Sequence, residues 1–220
     1  MRSREKFLST RRAAFYTLVC AAALAVPMGA QDNDPDRAVA GGKFPAGWSV
    51  RPDRGTPDQL KFSQTGGVYH FVMGSAGTFY NSAWTKSGNY KFSARLTQLA
   101  APSHPISYGL MFGGSDLGGD KQTYSYFLVR NQGEFFVSNR EGNGRPSTVV
   151  NWTANPAIVK QGNDGKQTNT LGVEVQGDNV IFTVNGTEMT RLPKSKLHTD
   201  GLYGFRIGHN LDVDVDQVKR

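Results

Sequence analysis

The chain has 220 residues, of which 20% are charged and 11% aromatic, with a formal net charge of +7 and a single cysteine. This length suits one domain with a sizeable core, and one cysteine excludes a disulfide framework. The first 30 residues carry five Lys/Arg and one Glu; removing them from the totals of 25 and 18 leaves 20 and 17, a net +3 without any basic block, which excludes the electrostatic footprint of a nucleic-acid binder.

Residues 1–30 read as an export signal. A basic start, "MRSREKFLSTRR", precedes the apolar run "AAFYTLVCAAALAV" and the small residues of "PMGA". The run is short for a transmembrane helix of about 20 residues, so no membrane partner is expected once the signal is cut. The paired arginines in "TRRAAF" leave Sec and Tat export both open. The lone cysteine, Cys20, lies inside this signal, and Val19 stands where a lipoprotein signal wants a small residue. Residues 31–43, "QDNDPDRAVAGGK", are polar and small and are expected to form a disordered linker.

From residue 44 to 220 the texture is uniform. Short runs of Val, Ile, Phe, Tyr and Thr alternate with polar residues and are cut by Gly, Asn, Asp and Pro. The expected fold is all-β, a two-sheet antiparallel β-sandwich. In "NYKFSARLTQL", Tyr90, Phe92, Ala94 and Leu96 share one face and Lys91, Ser93, Arg95 and Thr97 the other. In "YGLMFGG", Tyr108, Leu110 and Phe112 are expected in the core. In "TYSYFLVR", Phe127 and Val129 take the inner face, which leaves Tyr124, Tyr126, Leu128 and Arg130 on the other. In "TLGVEVQ", Leu171, Val173 and Val175 point inward and Glu174 outward. Val180, Phe182 and Val184 follow as a core strand, and Asn185-Gly186 supplies a type I′ hairpin turn. In "GLYGFRIGHNLDVDVDQV", Tyr203, Phe205, Ile207, Val213 and Val215 form one face, with Arg206, Asp212, Asp214 and Asp216 opposite and a bend near Gly208. The three aspartates are expected to mark an exposed edge that resists unwanted strand pairing. Trp48 and Trp152 are expected as core anchors, and Trp84 as a lesser member of an open face.

The order and spacing of "YSYFLVRNQGEFFVSNR", "VVNWTANPAI", "TNTLGVEVQGDNVIFTVNG", "HTDGLYGFRIG" and "LDVDVDQV" resemble the concanavalin A-like lectin/glucanase domains. Within that group the chain looks most like the laminin-G-like domains of bacterial exported proteins and the 3-keto-disaccharide hydrolase family. The resemblance covers roughly residues 44–220. It implies a jelly roll with one concave sheet, which in relatives often binds glycans.

The residues of this chain do not assemble a recognisable catalytic centre. Glycoside hydrolysis needs two carboxyl groups flanking the scissile bond. The glucanases of this fold set them as Glu-x-Asp-x-x-Glu, and none of Glu134, Glu141, Glu174 and Glu188 begins that pattern. Many 3-keto-disaccharide hydrolases carry "NSG" where this chain has "SYGLMFGG", so no catalytic residue is transferred. "GSAG" around Ser75 lacks the spacing of a nucleophile elbow. His70, His104, His198 and His209 show no paired metal spacing. Asp116 and Asp120 in "GGSDLGGD" offer oxygen ligands for Ca2+ but read first as turn residues, so no metal or other cofactor is assigned.

The set Tyr124, Tyr126, Arg130, Arg95, Glu174 and Arg206 carries the binding expectation. Aromatic rings stack on the apolar faces of sugars, and the charged groups hydrogen-bond their hydroxyls. The function expected is that of an exported, periplasmic or extracellular carbohydrate-binding β-sandwich whose partner is a glycan or another extracellular ligand. The alternative is a glycoside-acting hydrolase resembling the 3-keto-disaccharide hydrolases.

Overall fold

The computed structural model describes residues 34–220; the export signal expected over residues 1–30 lies outside the described residues. Fourteen strands run in chain order. They are β1 (Trp48–Pro52), β2 (Leu60–Thr65), β3 (Val68–Met73), β4 (Gly77–Lys86), β5 (Tyr90–Gln98), β6 (Ser107–Ser115) and β7 (Thr123–Arg130). There follow β8 (Glu134–Glu141), β9 (Ser147–Ala154), β10 (Gln167–Gln176), β11 (Asn179–Val184), β12 (Thr187–Pro193), β13 (Gly201–Ile207) and β14 (Asp212–Lys219). Two single-turn 3-10 segments, Pro57–Gln59 and Lys194–Lys196, are the helical elements among the described residues.

The strands form two seven-stranded sheets. The first has the order β1-β4-β13-β6-β7-β8-β9, the second β12-β11-β10-β5-β14-β3-β2. All twelve strand pairings are antiparallel. The two-sheet antiparallel sandwich expected from period-two patterning is therefore the fold. The Asn185-Gly186 turn has φ of +52° and +83°, as a type I′ hairpin requires.

One core fills the space between the sheets. Alternate residues of each strand enter it: Phe79, Tyr108, Leu110, Phe112, Phe127, Val129 and Phe205 from the first sheet, Phe71, Phe92, Leu96, Val173, Phe182 and Val215 from the second. Rings interlock across the gap. Phe182 lies 5.1 Å from Phe127 and 5.9 Å from Phe112, while Phe71 meets Phe79 at 4.7 Å. Tyr108 is core, as expected, and its hydroxyl donates to Oε1 of Gln167 at 2.9 Å. Burial raises that phenol well above its ordinary pKa.

Three expectations need correction. The run through residues 201–219 is not one bent strand: β13 belongs to the first sheet and β14 to the second, and the chain crosses the sandwich at residues 208–211. The apolar residues of both strands still face the core, because each sheet turns its own inner face to it. Second, β14 is not an edge. It lies between β5 and β3, and each aspartate of its outer row has a basic side chain as partner: Asp212 with Arg37, Asp214 with His70 at 2.6 Å, and Asp216 with Arg95 at 2.6 Å. Third, the segment expected to be a disordered linker is, from residue 34 onward, bound to the sandwich. Arg37 donates to the carbonyls of Met73 (2.7 Å) and Leu211 (2.9 Å), and the Gly41 amide donates to the carbonyl of Asp58 (2.8 Å). One arginine placed to satisfy two strand-end carbonyls outweighs the weak local propensity of a polar segment.

Candidate binding face on the first sheet

Parity puts Arg51, Thr78, Tyr80, Arg206, Met111, Tyr124, Tyr126, Leu128, Arg130, Phe136 and Arg140 on the outer face of the first sheet. This face has its own apolar cluster of Met111, Leu117, Tyr124, Tyr126 and Leu128, with Tyr80, Phe136, Trp152 and Leu202 against it. Two glycines of this sheet lie tight against neighbouring backbone: a Cβ at Gly109 would come within 2.1 Å of the Phe127 carbonyl oxygen, and one at Gly204 within 2.0 Å of the Phe79 carbonyl oxygen.

The face is concave. Thr78 on β4 donates to the Tyr124 hydroxyl on β7 at 3.3 Å, although β13 and β6 lie between their strands. Three strand spacings of about 4.8 Å separate such residues by about 14 Å in a flat sheet. The side chains meet only because the sheet curls toward them.

Four of the six expected site residues share this face: Tyr124, Tyr126, Arg130 and Arg206. The other two do not join them. Arg95 and Glu174 lie on the outer face of the second sheet, across the sandwich. There Arg95 holds Asp216 through two hydrogen bonds of 2.7 and 2.6 Å, and Glu174 pairs with Lys91 at 3.0 Å. The two tyrosines are also less open than expected. Tyr124 is 3% exposed and Tyr126 6%, their rings 5.8 Å apart. Burial raises the Tyr126 phenol above its ordinary pKa.

The tryptophans exchange the roles expected of Trp84 and Trp152. Trp84 is core, 4.7 Å from Trp48. Trp152 lies on the concave face, stacked on Phe136 at 4.8 Å, with the Arg130 guanidinium 4.4 Å over its ring. Arg130 also donates to Glu134 at 2.6 Å.

Beside Tyr124 is a pocket of about 190 Å3, lined by Arg51, Pro52, Asp53, Gln122, Tyr124, Arg140 and Asn143. Each wall has a local cause. Arg51 donates to the carbonyls of Leu117 (3.2 Å) and Gly119 (2.6 Å) and to Oδ1 of Asn143 (2.7 Å), which pins the Gly-rich loop to the β8–β9 turn. Asp116 and Asp120 serve that loop as scaffold: Oδ2 of Asp116 accepts from the Lys121 amide at 3.0 Å, and Oδ1 of Asp120 accepts from Asn143 at 2.9 Å. Gln122 donates to the Gly142 carbonyl at 3.2 Å and is almost wholly buried. Its Oε1 has no hydrogen-bond partner among the described residues.

The charges are unequal. Arg206 grips Asp53 with both terminal nitrogens and donates to Thr78 at 3.2 Å. Burial works to raise the Asp53 carboxyl, but the charge and hydrogen bonds of Arg206, then Arg140 and Arg54, outweigh it and hold the group below the usual carboxylate range. Arg140 donates from Nε to the Gly142 carbonyl at 3.1 Å and has no carboxylate in ion-pair contact among the described residues. A depressed carboxylate stabilises the fold above its unfolded pKa of about 3.9 and loses that contribution as pH falls through its folded value. Asp53→Asn should therefore lower the melting temperature at pH 7, and the gap from wild type should narrow as pH falls through and below the usual carboxylate range. Thermal melts from pH 7 to pH 2.5 check this, and a pH-independent gap would refute the ion pair's role.

Of the pocket residues, strand parity in the sequence singles out only Tyr124. Arg51, Asp53, Gln122, Arg140 and Asn143 come from a strand end, a loop and a hairpin turn that only strand pairing brings together. No local motif marks them.

No protein-family model and no curated protein matches the chain. Among solved structures, it is similar to a carbohydrate binding module, CBM66, from Bacillus subtilis, with a TM-score of 0.57 and 15% identity over 84% of this chain and 98% of that one. It is also similar to a protein of unknown function with a galectin-like fold from Bacillus subtilis, with a TM-score of 0.51 and 12% identity over 79% and 90% of the two chains. The fold is the concanavalin A-like lectin/glucanase sandwich. The resemblance to 3-keto-disaccharide hydrolases rests on the sequence texture alone.

Proposed function

We propose that the chain binds an acidic oligosaccharide on the concave face of its first sheet, outside the cytoplasm, to which the signal read over residues 1–30 would send it. The observation that carries this is the Arg140 guanidinium, without an ion-pair partner among the described residues and set in a pocket shared with Arg51, Tyr124 and Asn143. A sugar carboxylate or sulfate takes a planar guanidinium in a paired, charge-assisted contact. The similar Bacillus subtilis structure is a carbohydrate binding module, which agrees with this reading.

Hydrolysis of a glycoside needs a second carboxyl group acting with the first. Among the described residues Asp53 is the one carboxylate lining the pocket, and Arg206 engages both of its oxygens. Binding is the reading that this lining supports.

The test is a panel of neutral and uronate-containing oligosaccharides offered to the full-length protein. An acidic ligand should be retained, and salt should weaken its binding. Arg140→Gln should reduce its affinity at least about 10-fold, the loss of about 1.4 kcal/mol expected when one charge-assisted contact goes. Equal affinity for neutral ligands, or an unchanged Arg140→Gln variant, would remove the proposal.

A further inference from the structure

At the end of the sandwich where the chain crosses between sheets, His104 and His209 face each other. The first lies in the connection between β5 and β6, the second in the connection between β13 and β14. Their Nε2 atoms are 3.1 Å apart. The other nitrogen of each ring also has a partner. Nδ1 of His209 is 3.3 Å from Oδ1 of Asp36, and an ionised carboxylate only accepts. Nδ1 of His104 is 3.0 Å from the Ser103 hydroxyl, whose single proton goes to Oδ2 of Asp34 at 2.7 Å. The serine oxygen therefore accepts from His104, and Asp34 stands 3.4 Å from the same nitrogen.

The two Nε2 atoms are turned to the same point. We propose that His104 and His209 bind a divalent transition-metal ion of the Zn2+ class through Nε2, with Asp34 as a third ligand. One ligand atom from each of the three residues lies within 4.8 Å of the others. Two imidazole nitrogens on one tetrahedral Zn2+, each at about 2.0–2.1 Å, stand about 3.3 Å apart. The observed spacing is near that value before any adjustment. Hydrogen bonds from the remote ring nitrogens to a carboxylate and a hydroxyl are the usual support of metal-bound histidines.

The ion would tie together three pieces that have no covalent link at this end: the segment at residues 34–37 and the two crossing connections. The same segment is already held by Arg37 and by Asn210, whose Nδ2 donates to Oδ2 of Asp34 at 3.1 Å. The two histidines are 105 residues apart in the chain, which is why no spacing motif announces the pair.

The test uses untagged full-length protein stripped with a chelator and titrated with ZnCl2. One equivalent should bind, and the melting temperature should rise with free Zn2+ as binding to the folded state requires. His104→Gln and His209→Gln should each weaken Zn2+ at least about 100-fold, and Asp36→Asn about 10- to 100-fold through loss of ring orientation. In wild type, Co2+ should give the intense visible bands of a low-coordinate imidazole site, a readout that stands even if a histidine variant fails to fold. Absence of saturable Zn2+ binding, histidine variants with wild-type affinity, or a Co2+ spectrum like that of the free hydrated ion would each overturn the proposal; the first would mean that the pair shares a proton instead.

Discussion

Replacing Phe182 with alanine is expected to destabilise the protein by about 3 to 5 kcal/mol. Phe182 is on β11 of the second sheet, between Val180 and Val184 in the same parity, and it is fully buried. Its ring touches Phe112 and Phe127 of the opposite sheet at 5.9 and 5.1 Å. Truncation loses the transfer energy of the ring and leaves a cavity between two sheets whose backbones are hydrogen-bonded on both sides. β11 is held by β10 and β12, so it cannot readily move in to fill the space. Urea unfolding of wild type and Phe182→Ala measures the loss, and a difference below about 1 kcal/mol would mean that the ring does not bridge the sheets.

The parity that exposes Phe182 as core was legible throughout the sequence. Leu110, Phe127, Val173 and Phe205 all entered the core on alternation alone, because a sandwich strand has one wet and one dry face. Alternation does not say to which sheet a strand belongs. Arg206 and Asp214 are eight residues apart and both point outward, yet they lie on opposite sides of the sandwich, because the chain changes sheets at residues 208–211. That same ambiguity divided the expected site. Outward parity alone groups Arg95 and Glu174 with Tyr124, and each has an ion-pair partner on the second sheet.

The tryptophans show a second limit. Trp84 and Trp152 sit in similar alternating runs, and size alone suggests that either could anchor a core. What separates them is register. The β8–β9 pairing is irregular between Phe135 and Val137, and beside it Trp152 stacks on Phe136 on the concave face. Bulges re-aim side chains in this way without a clear signal in composition.

Tyr126→Ala should cost about 3 kcal/mol, although its residue lies on an outer face of the sandwich. Strand alternation predicts an exposed ring and a small effect. The structure puts Met111 directly across from it on β6, Tyr124 at 5.8 Å and Phe136 at 6.2 Å, so that only 6% of the residue remains exposed. The concave face has thus become a second small core, and removing its central ring should cost nearly as much as removing one from the first. Tyr126→Phe keeps the ring and should stay within about 1 kcal/mol of wild type. The pair of variants separates two uses of the aromatic cluster. A large loss for alanine and little for phenylalanine means that the rings are a packed floor beneath the proposed site at Tyr124 and Arg140. A loss below about 1 kcal/mol for Tyr126→Ala would mean that the ring is open to solvent, and direct stacking of sugar on Tyr126 would then replace the arginine-lined pocket as the proposed binding surface.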